Sequence, residues 1–178
     1  MTKVLRMTAL AASVAALALA ATPAAAAPVG PAPTSRNATA TARIVKPLTL
    51  VWVQDLNLGT ILLSGAGAWS GAVVSIAPDG TFSCTNANVV CSGTTSVARY
   101  NVTGTNNQRV FITAPNFSLT NANDGTTLPF TVDRGLGYVD LNNSGNTGVD
   151  FSLGGSISVA STTTGGVYTG TFNVTVDY

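Results

Sequence analysis

The sequence predicts an all-β fold, an antiparallel β-sandwich of about seven to nine short strands. Three observations carry that expectation. Short runs of alternating apolar and polar residues recur along the chain, and Gly, Pro, Asn and Asp clusters separate them. No segment beyond the N-terminal leader keeps a helical period for more than one or two turns. Only 8% of the residues are charged, so Thr, Ser, Asn and Gly must cover the surface, as in exported all-β proteins.

The chain opens MTKVLRMTALAASVAALALAATPAAAAP, with Lys3 and Arg6 ahead of an apolar run over residues 7–21 and then small residues. That is the shape of a secretory signal peptide. The run, at roughly 15 residues, is shorter than the ~20 that a membrane span needs. Cleavage after Ala26 makes residues 1–26 the signal peptide, and no later segment is apolar and unbroken enough to cross a membrane. Residues 27–36 are Pro-rich and read as a flexible leader. Residues 37–178 read as one sandwich domain, long enough for a sizeable core.

Alternation starts at once. Ala38, Ala40, Ala42 and Ile44 share one face, and Leu48, Leu50 and Trp52 continue after Pro47. Pro47 donates no hydrogen bond to a ladder, so this opening strand must carry an edge, a bulge or a switch there. The next strands are GAVVSIAP, SVARYNVTG, RVFITAP, LPFTVDR, VDFSLGGSISVA and TGTFNVTVDY. Turns fall at Pro78-Asp79-Gly80, at residues 104–107, at Asn123-Asp124-Gly125 and at residues 142–148. The strand pattern is immunoglobulin-like. The expected core is Ile44, Leu48, Leu50, Val74, Ile76, Val102, Val110, Ile112, Phe130, Val132, Phe151, Ile157, Val159, Phe172, Val174 and Val176.

Cys84 and Cys91 enclose the six residues TNANVV. In an exported chain they pair, here as a structural disulfide at a hairpin tip. A zinc site wants about four ligands and the chain has no His to join them. Loss of Lys3 and Arg6 with the leader turns the formal charge from +1 to −1. Such a surface has no basic patch for phosphates, which argues against a nucleic-acid partner.

Catalysis is not expected. Without His or Glu, acid–base chemistry falls to Asp, Tyr and Lys46, and the Asp residues scatter beside turns or on polar strand positions. No G-x-S-x-G and no phosphate loop appears. No cofactor is required. The loop DLNNSGNTGVD begins like a calcium loop, with Asp140, Asn142, Ser144 and Asp150 as the ligands it would supply, but it lacks the closing Glu and turn formation explains it equally. Trp69, after the small residues GAGA, is the more exposed aromatic and the candidate ligand platform, whereas Trp52 has core periodicity.

Several blocks together resemble the exported bacterial proteins grouped as domain of unknown function 4402. They are ATARIVKPLTLVWVQDLNLG, ARYNVTG, RVFITAP, VDFSLGGSISVA with Gly154-Gly155, and GGVYTGTFNVTVDY. Leu58 stands where that pattern has Phe. The ending also resembles, more loosely, chaperone–usher pilin subunits, which are incomplete immunoglobulin-like sandwiches. Gly165 lies fourteen residues from the end, counted inclusively, and Tyr178 closes an alternating strand. The pilin likeness implies an assembly strand with Gly165, Tyr168, Gly170, Phe172, Val174, Val176 and Tyr178, and strand exchange with a periplasmic chaperone and with copies of itself or related subunits. The expected function is a secreted, non-catalytic, fimbria-like surface subunit in the periplasm, on the cell surface or outside the cell. The alternative is a self-contained secreted sandwich that binds carbohydrate or acts as an adhesin, with calcium assisting.

Overall fold

The computed structural model describes residues 36–65, 67–142 and 147–178. The predicted signal peptide, residues 27–35 of the leader, and Ser144 lie outside the described residues. Two compact units divide the chain, Met1–Thr41 and Ala42–Tyr178. Of the first, residues 36–41 have no regular secondary structure and are exposed.

The second unit holds thirteen strands among the described residues. They are β1 (Thr49–Gln54), β2 (Thr60–Leu63), β3 (Ala72–Ile76), β4 (Phe82–Ser83), β5 (Val89–Ser92), β6 (Ala98–Thr103), β7 (Gln108–Thr113), β8 (Phe117–Asn121), β9 (Thr127–Asp133), β10 (Tyr138–Leu141), β11 (Val149–Val159), β12 (Tyr168–Thr169) and β13 (Thr175–Asp177). The expected runs appear as β3, β6, β7, β9 and β11, the opening one only in part as β1 and the terminal one only as β12 and β13; the extra strands are pieces of two to five residues, β2, β4, β5, β8 and β10. Every pairing is antiparallel, and the fold is all-β and sandwich-like. The largest sheet runs β1-β6-β11-β9-β8-β12, with β3 also on β11 and β4 on β3. A second sheet runs β10-β7-β13 and a third is the ribbon β2-β5.

β11 organises this arrangement. Residues 149–153 pair with β6, whereas Gly155–Val159 pair with β3 and Gly154–Ile157 with β9. Gly154 and Gly155 sit where the partners change, and both approaches are too close for a side chain. A Cβ on Gly154 would lie 2.1 Å from the Ile76 carbonyl oxygen, and one on Gly155 2.2 Å from the Phe130 ring. Glycine in a strand interior marks such a bend or close backbone approach.

The main core gathers Ala72, Val74, Ile76, Leu128, Phe130, Val132, Leu153, Ile157 and Val159 with the lower end of β7, Ile112 and Ala114. A smaller cluster forms around Val102, Val110 and Leu141. Of the expected core residues, Leu48, Leu50, Phe151, Phe172, Val174 and Val176 are half-buried rather than buried. Ile44 is a correction, being 90% exposed. The expected strand over residues 38–44 does not form in the fold: among the described residues no ladder precedes Thr49. The physical reason lies just upstream of β1. The Lys46 N–H donates to Thr105 Oγ1 and its carbonyl accepts from the Tyr178 hydroxyl, so neither is left for a strand partner, and Pro47 has no N–H.

Two further expectations change. The terminal run is not one strand: β12 pairs with β8 in the large sheet, residues 170–174 cross without a ladder, and β13 pairs with β7 in the second sheet. Its alternation survives the crossing, with Phe172, Val174, Val176 and Tyr178 half-buried and Thr171, Asn173, Thr175 and Asp177 exposed. The disulfide Cys84–Cys91 is present but does not close a hairpin tip. Cys84 follows β4, which pairs with β3, and Cys91 lies in β5, which pairs with β2. The bridge therefore ties the ribbon to the large sheet.

Two outcomes follow for urea unfolding. Gly154→Ala, which meets backbone rather than a movable side chain, lowers the unfolding free energy by ~2–3 kcal/mol. Replacing both cysteines by serine lowers it by ~2.5 kcal/mol, the loop-closure value for so short a ring, with the rest of the fold retained. An unchanged midpoint in either variant contradicts the corresponding role.

Candidate functional site

The sandwich has an open side. β1 ends the large sheet and pairs only with β6; β13 ends the second sheet and pairs only with β7. The direction of their side chains follows from register. Leu50 is opposite Val102 and Trp52 opposite Tyr100, and Val102 is fully buried, so Leu50 and Trp52 point inward. Val176 is opposite Ile112, itself buried, so Val176 points inward too, with Val174, Phe172 and Tyr178 in the same alternation.

Both edges feed the small cluster, β1 through Leu50 with the adjoining Leu48, and the end of the chain through Val176 and Tyr178. Yet no side chain in either inward row is fully buried, and Trp52 is 58% exposed although it faces the interior. Val51, on the outer face of β1, and Val53, at the register shift between Trp52 and Gln54, are exposed as well. A strand apolar on both faces and unpartnered on one side is what a stable monomer normally avoids at a sheet edge.

One end of this open side is closed by Tyr178. Its hydroxyl donates to the Lys46 carbonyl at 2.6 Å and accepts from the Thr105 N–H at 2.7 Å, with Thr105 Oγ1 at 3.2 Å. Gly104 makes room for it: a Cβ there would sit 2.6 Å from both the Tyr178 hydroxyl and Leu48 Cδ2. Toward the other end, Phe172 stacks on Phe117 at 5.0 Å between centroids, and Phe117 packs on Phe130 at 4.8 Å. The Trp52 indole donates to Asp55 Oδ1 at 3.1 Å.

The remaining residues singled out by sequence are dispersed. The Gly165 carbonyl accepts from Nδ2 of Asn121, the one buried polar residue among those described. The Tyr168 hydroxyl donates to the Thr164 carbonyl at 2.8 Å. Gly170 passes against Phe117, whose ring would stand 2.8 Å from a Cβ there. The two tryptophans exchange the roles expected of them. Trp69 is half-buried against the core, with its indole donating to the Ser64 carbonyl, whereas Trp52 is the exposed one. Small neighbours suggested exposure of Trp69, but its own backbone is held by Ser161.

Asp140 and Asp150 are engaged by different arginines. Arg109 donates to both oxygens of Asp140, at 2.8 and 3.0 Å, while stacking over the Tyr138 ring. That guanidinium holds the Asp140 carboxyl below its ordinary value. Asp150 accepts from Asn101 at 2.6 Å and from Arg99 at 3.3 Å. The Asn142 N–H donates to the Asp140 carbonyl. Among the described residues no three Asp, Glu, His or Cys side chains gather as metal ligands. No helix among them is long and apolar enough to cross a membrane.

Fold and geometry together define an antiparallel β-sandwich-like domain in which β1 and β13 are end strands paired on one side only, as are β12 and β10 at the opposite ends of the same sheets. Residues 48–178 match the family model described as Domain of unknown function (DUF4402), and the chain belongs to that family. The match begins one residue before β1 and runs through Tyr178, so it includes β1, β13 and the Tyr178–Thr105 contact, while Lys46 lies just ahead of it. No curated protein and no solved structure matches the chain.

Tyr178→Phe removes three hydrogen-bond contacts and leaves the ring. It lowers unfolding free energy by ~1–2 kcal/mol and speeds hydrogen exchange at the Thr105 amide, which loses its acceptor. Unchanged exchange there contradicts the contact.

Proposed function

We propose that this protein is a secreted, non-catalytic structural subunit of the cell surface that joins its neighbours by β-strand addition. One observation carries the reading: the inward-facing apolar rows of β1 and of the terminal run are left partly open to solvent, beside two sheet ends without a strand partner. An added strand would supply main-chain hydrogen bonds to such edges and cover the exposed inward side chains. Covering a residue such as Trp52 or Leu50 is favourable by ~1–3 kcal/mol each.

Other features agree with the reading. The leader has the form of an export signal, and the two cysteines are joined, as suits an oxidising compartment. The absence of His and Glu from the sequence, with Asp140 and Asp150 occupied by arginines, favours a building block over a catalyst. The partners would be a periplasmic chaperone that covers the edge before assembly, and further copies of this or related subunits.

The test is made on native cells. Surface material is sheared off and run on a denaturing gel with and without boiling, with detection of this chain. Strand exchange of this kind gives a ladder or high-mass band that collapses to monomer on boiling. A monomer band in both lanes refutes the subunit reading and leaves a self-contained sandwich, to be screened for carbohydrate and calcium.

A further inference from the structure

The third sheet is set apart from the other two. β2 and β5 pair with each other and, among the described residues, make no backbone hydrogen bond to either larger sheet. The two faces of this ribbon differ. Ile61 stands opposite Cys91 and Leu63 opposite Val89, and these four pack on the main core. Leu62 and Val90 stand opposite each other on the outer face, 66% and 62% exposed. Besides that packing, the Cys84–Cys91 bond and the Trp69 indole on the Ser64 carbonyl hold the ribbon in place.

One end of the ribbon is built to bend. Between the Asn57–Ser96 bridge and the Thr60–Ser92 pair lie Gly59 and Gly93, both left-handed, at φ +75° and +86°. Glycine takes that conformation without strain. A Cβ on Gly59 would come within 2.6 Å of the Ser92 carbonyl oxygen, so the two arms pass here with no side chain between them. The disulfide lies beyond this bend. It joins Cys91 in β5 to Cys84 just after β4, and both are half-buried, within reach of a small dithiol.

We infer that the Cys84–Cys91 bond is a redox latch: oxidised, it holds the β2–β5 ribbon over the main core; reduced, it lets the ribbon open at Gly59 and Gly93 while the two larger sheets stay folded. The electron donor is a dithiol. One of its thiolates attacks a cysteine sulfur, forms a mixed disulfide and releases the other cysteine as thiolate. Its second thiolate then attacks its own sulfur in the mixed disulfide and releases the first cysteine. Two electrons and two protons pass to the protein, which leaves two Cys thiols and a cyclic disulfide of the donor.

The physical basis is the state that the bond restricts. Cys84 and Cys91 are 7 residues apart in sequence, and closing that ring limits the freedom the segment gains on opening. Without the bond that freedom returns, and few contacts oppose it. Val89 is buried, but Ile61 and Leu63 are already half in solvent. By contrast β6, β9 and β11 each have a strand partner on both sides. Local opening draws on weakly anchored segments of the first kind. A chain in a reducing compartment then carries the ribbon open, and an oxidising compartment closes it. None of this depends on strand addition.

The test is hydrogen exchange on the full chain, purified in the oxidised form, before and after reduction with dithiothreitol. Reduction is expected to lower the protection of amides in β2 and β5 about tenfold or more beyond any change in β9 and β11, which report global unfolding. Re-oxidation restores the ribbon. Cys84→Ser with Cys91→Ser behaves as the reduced parent and no longer responds to dithiothreitol. An equal loss of protection in all four strands, or a ribbon as protected after reduction as before, overturns the latch. So does a double variant whose ribbon keeps the oxidised parent's protection.

Discussion

The bend of β11 at Gly154-Gly155 is the constraint on which the rest of the molecule depends. One eleven-residue strand serves three neighbours, and it changes them where two residues have no side chain. Gly154 lets the β3 backbone approach at Ile76, and Gly155 lets the Phe130 ring lie over the strand. Close approaches of this kind let one strand change neighbours within a sheet without breaking its own pairing. The consequence reaches the open side. Phe130 supports Phe117, Phe117 supports Phe172, and Phe172 begins the alternating row that ends in Tyr178. The position of the terminal run is thus set from the centre of the fold by a chain of aromatic contacts, each adding ~0.5–1.5 kcal/mol beyond its area.

The same run explains why the sandwich stays open on one side. Between β12 and β13 the chain moves from the large sheet to the second sheet, and a segment in transit pairs with neither. Across from it, β1 is not extended upstream, where the Lys46 N–H and carbonyl are engaged by Thr105 and Tyr178 and Pro47 has no N–H to donate. The outcome is a pair of edges that pack on a small, fully buried core around Val102, Val110 and Leu141 while their own inward side chains stay only half-buried or exposed. Trp52 shows the cost directly: an indole facing the interior, yet more than half in solvent.

Much of this was legible in the sequence, for reasons that differ by element. β3, β6, β7, β9 and β11 combine alternation with flanking turns, and each appears where the pattern put it. β2, β4, β5, β8 and β10 are short and stabilised by cross-strand partners distant in sequence, which local patterning does not register. The Gly154-Gly155 pair was visible as a motif, but its meaning, a carbonyl and a ring at contact distance, was not. Alternation over residues 38–44 predicts a strand that does not form, and Ile44, an expected core residue, is exposed, since period two reports which side chains share a face and not whether anything pairs with or covers that face. Tyr178 stood out as an ending. Its partners Lys46 and Thr105 lie 132 and 73 residues away and carry no local signal.

The Tyr178 contact also gives the open side a direction. A slot open at both ends accepts a strand in several registers, because main-chain pairing is indifferent to a shift of two residues. Here the hydroxyl of Tyr178 joins the segment before β1 to the β6–β7 turn and closes one end. The end toward Trp52 and Phe172 has no such closure among the described contacts. On the strand-addition reading, a strand entering from the Trp52 end would be stopped by the Tyr178 contact, which would set its register.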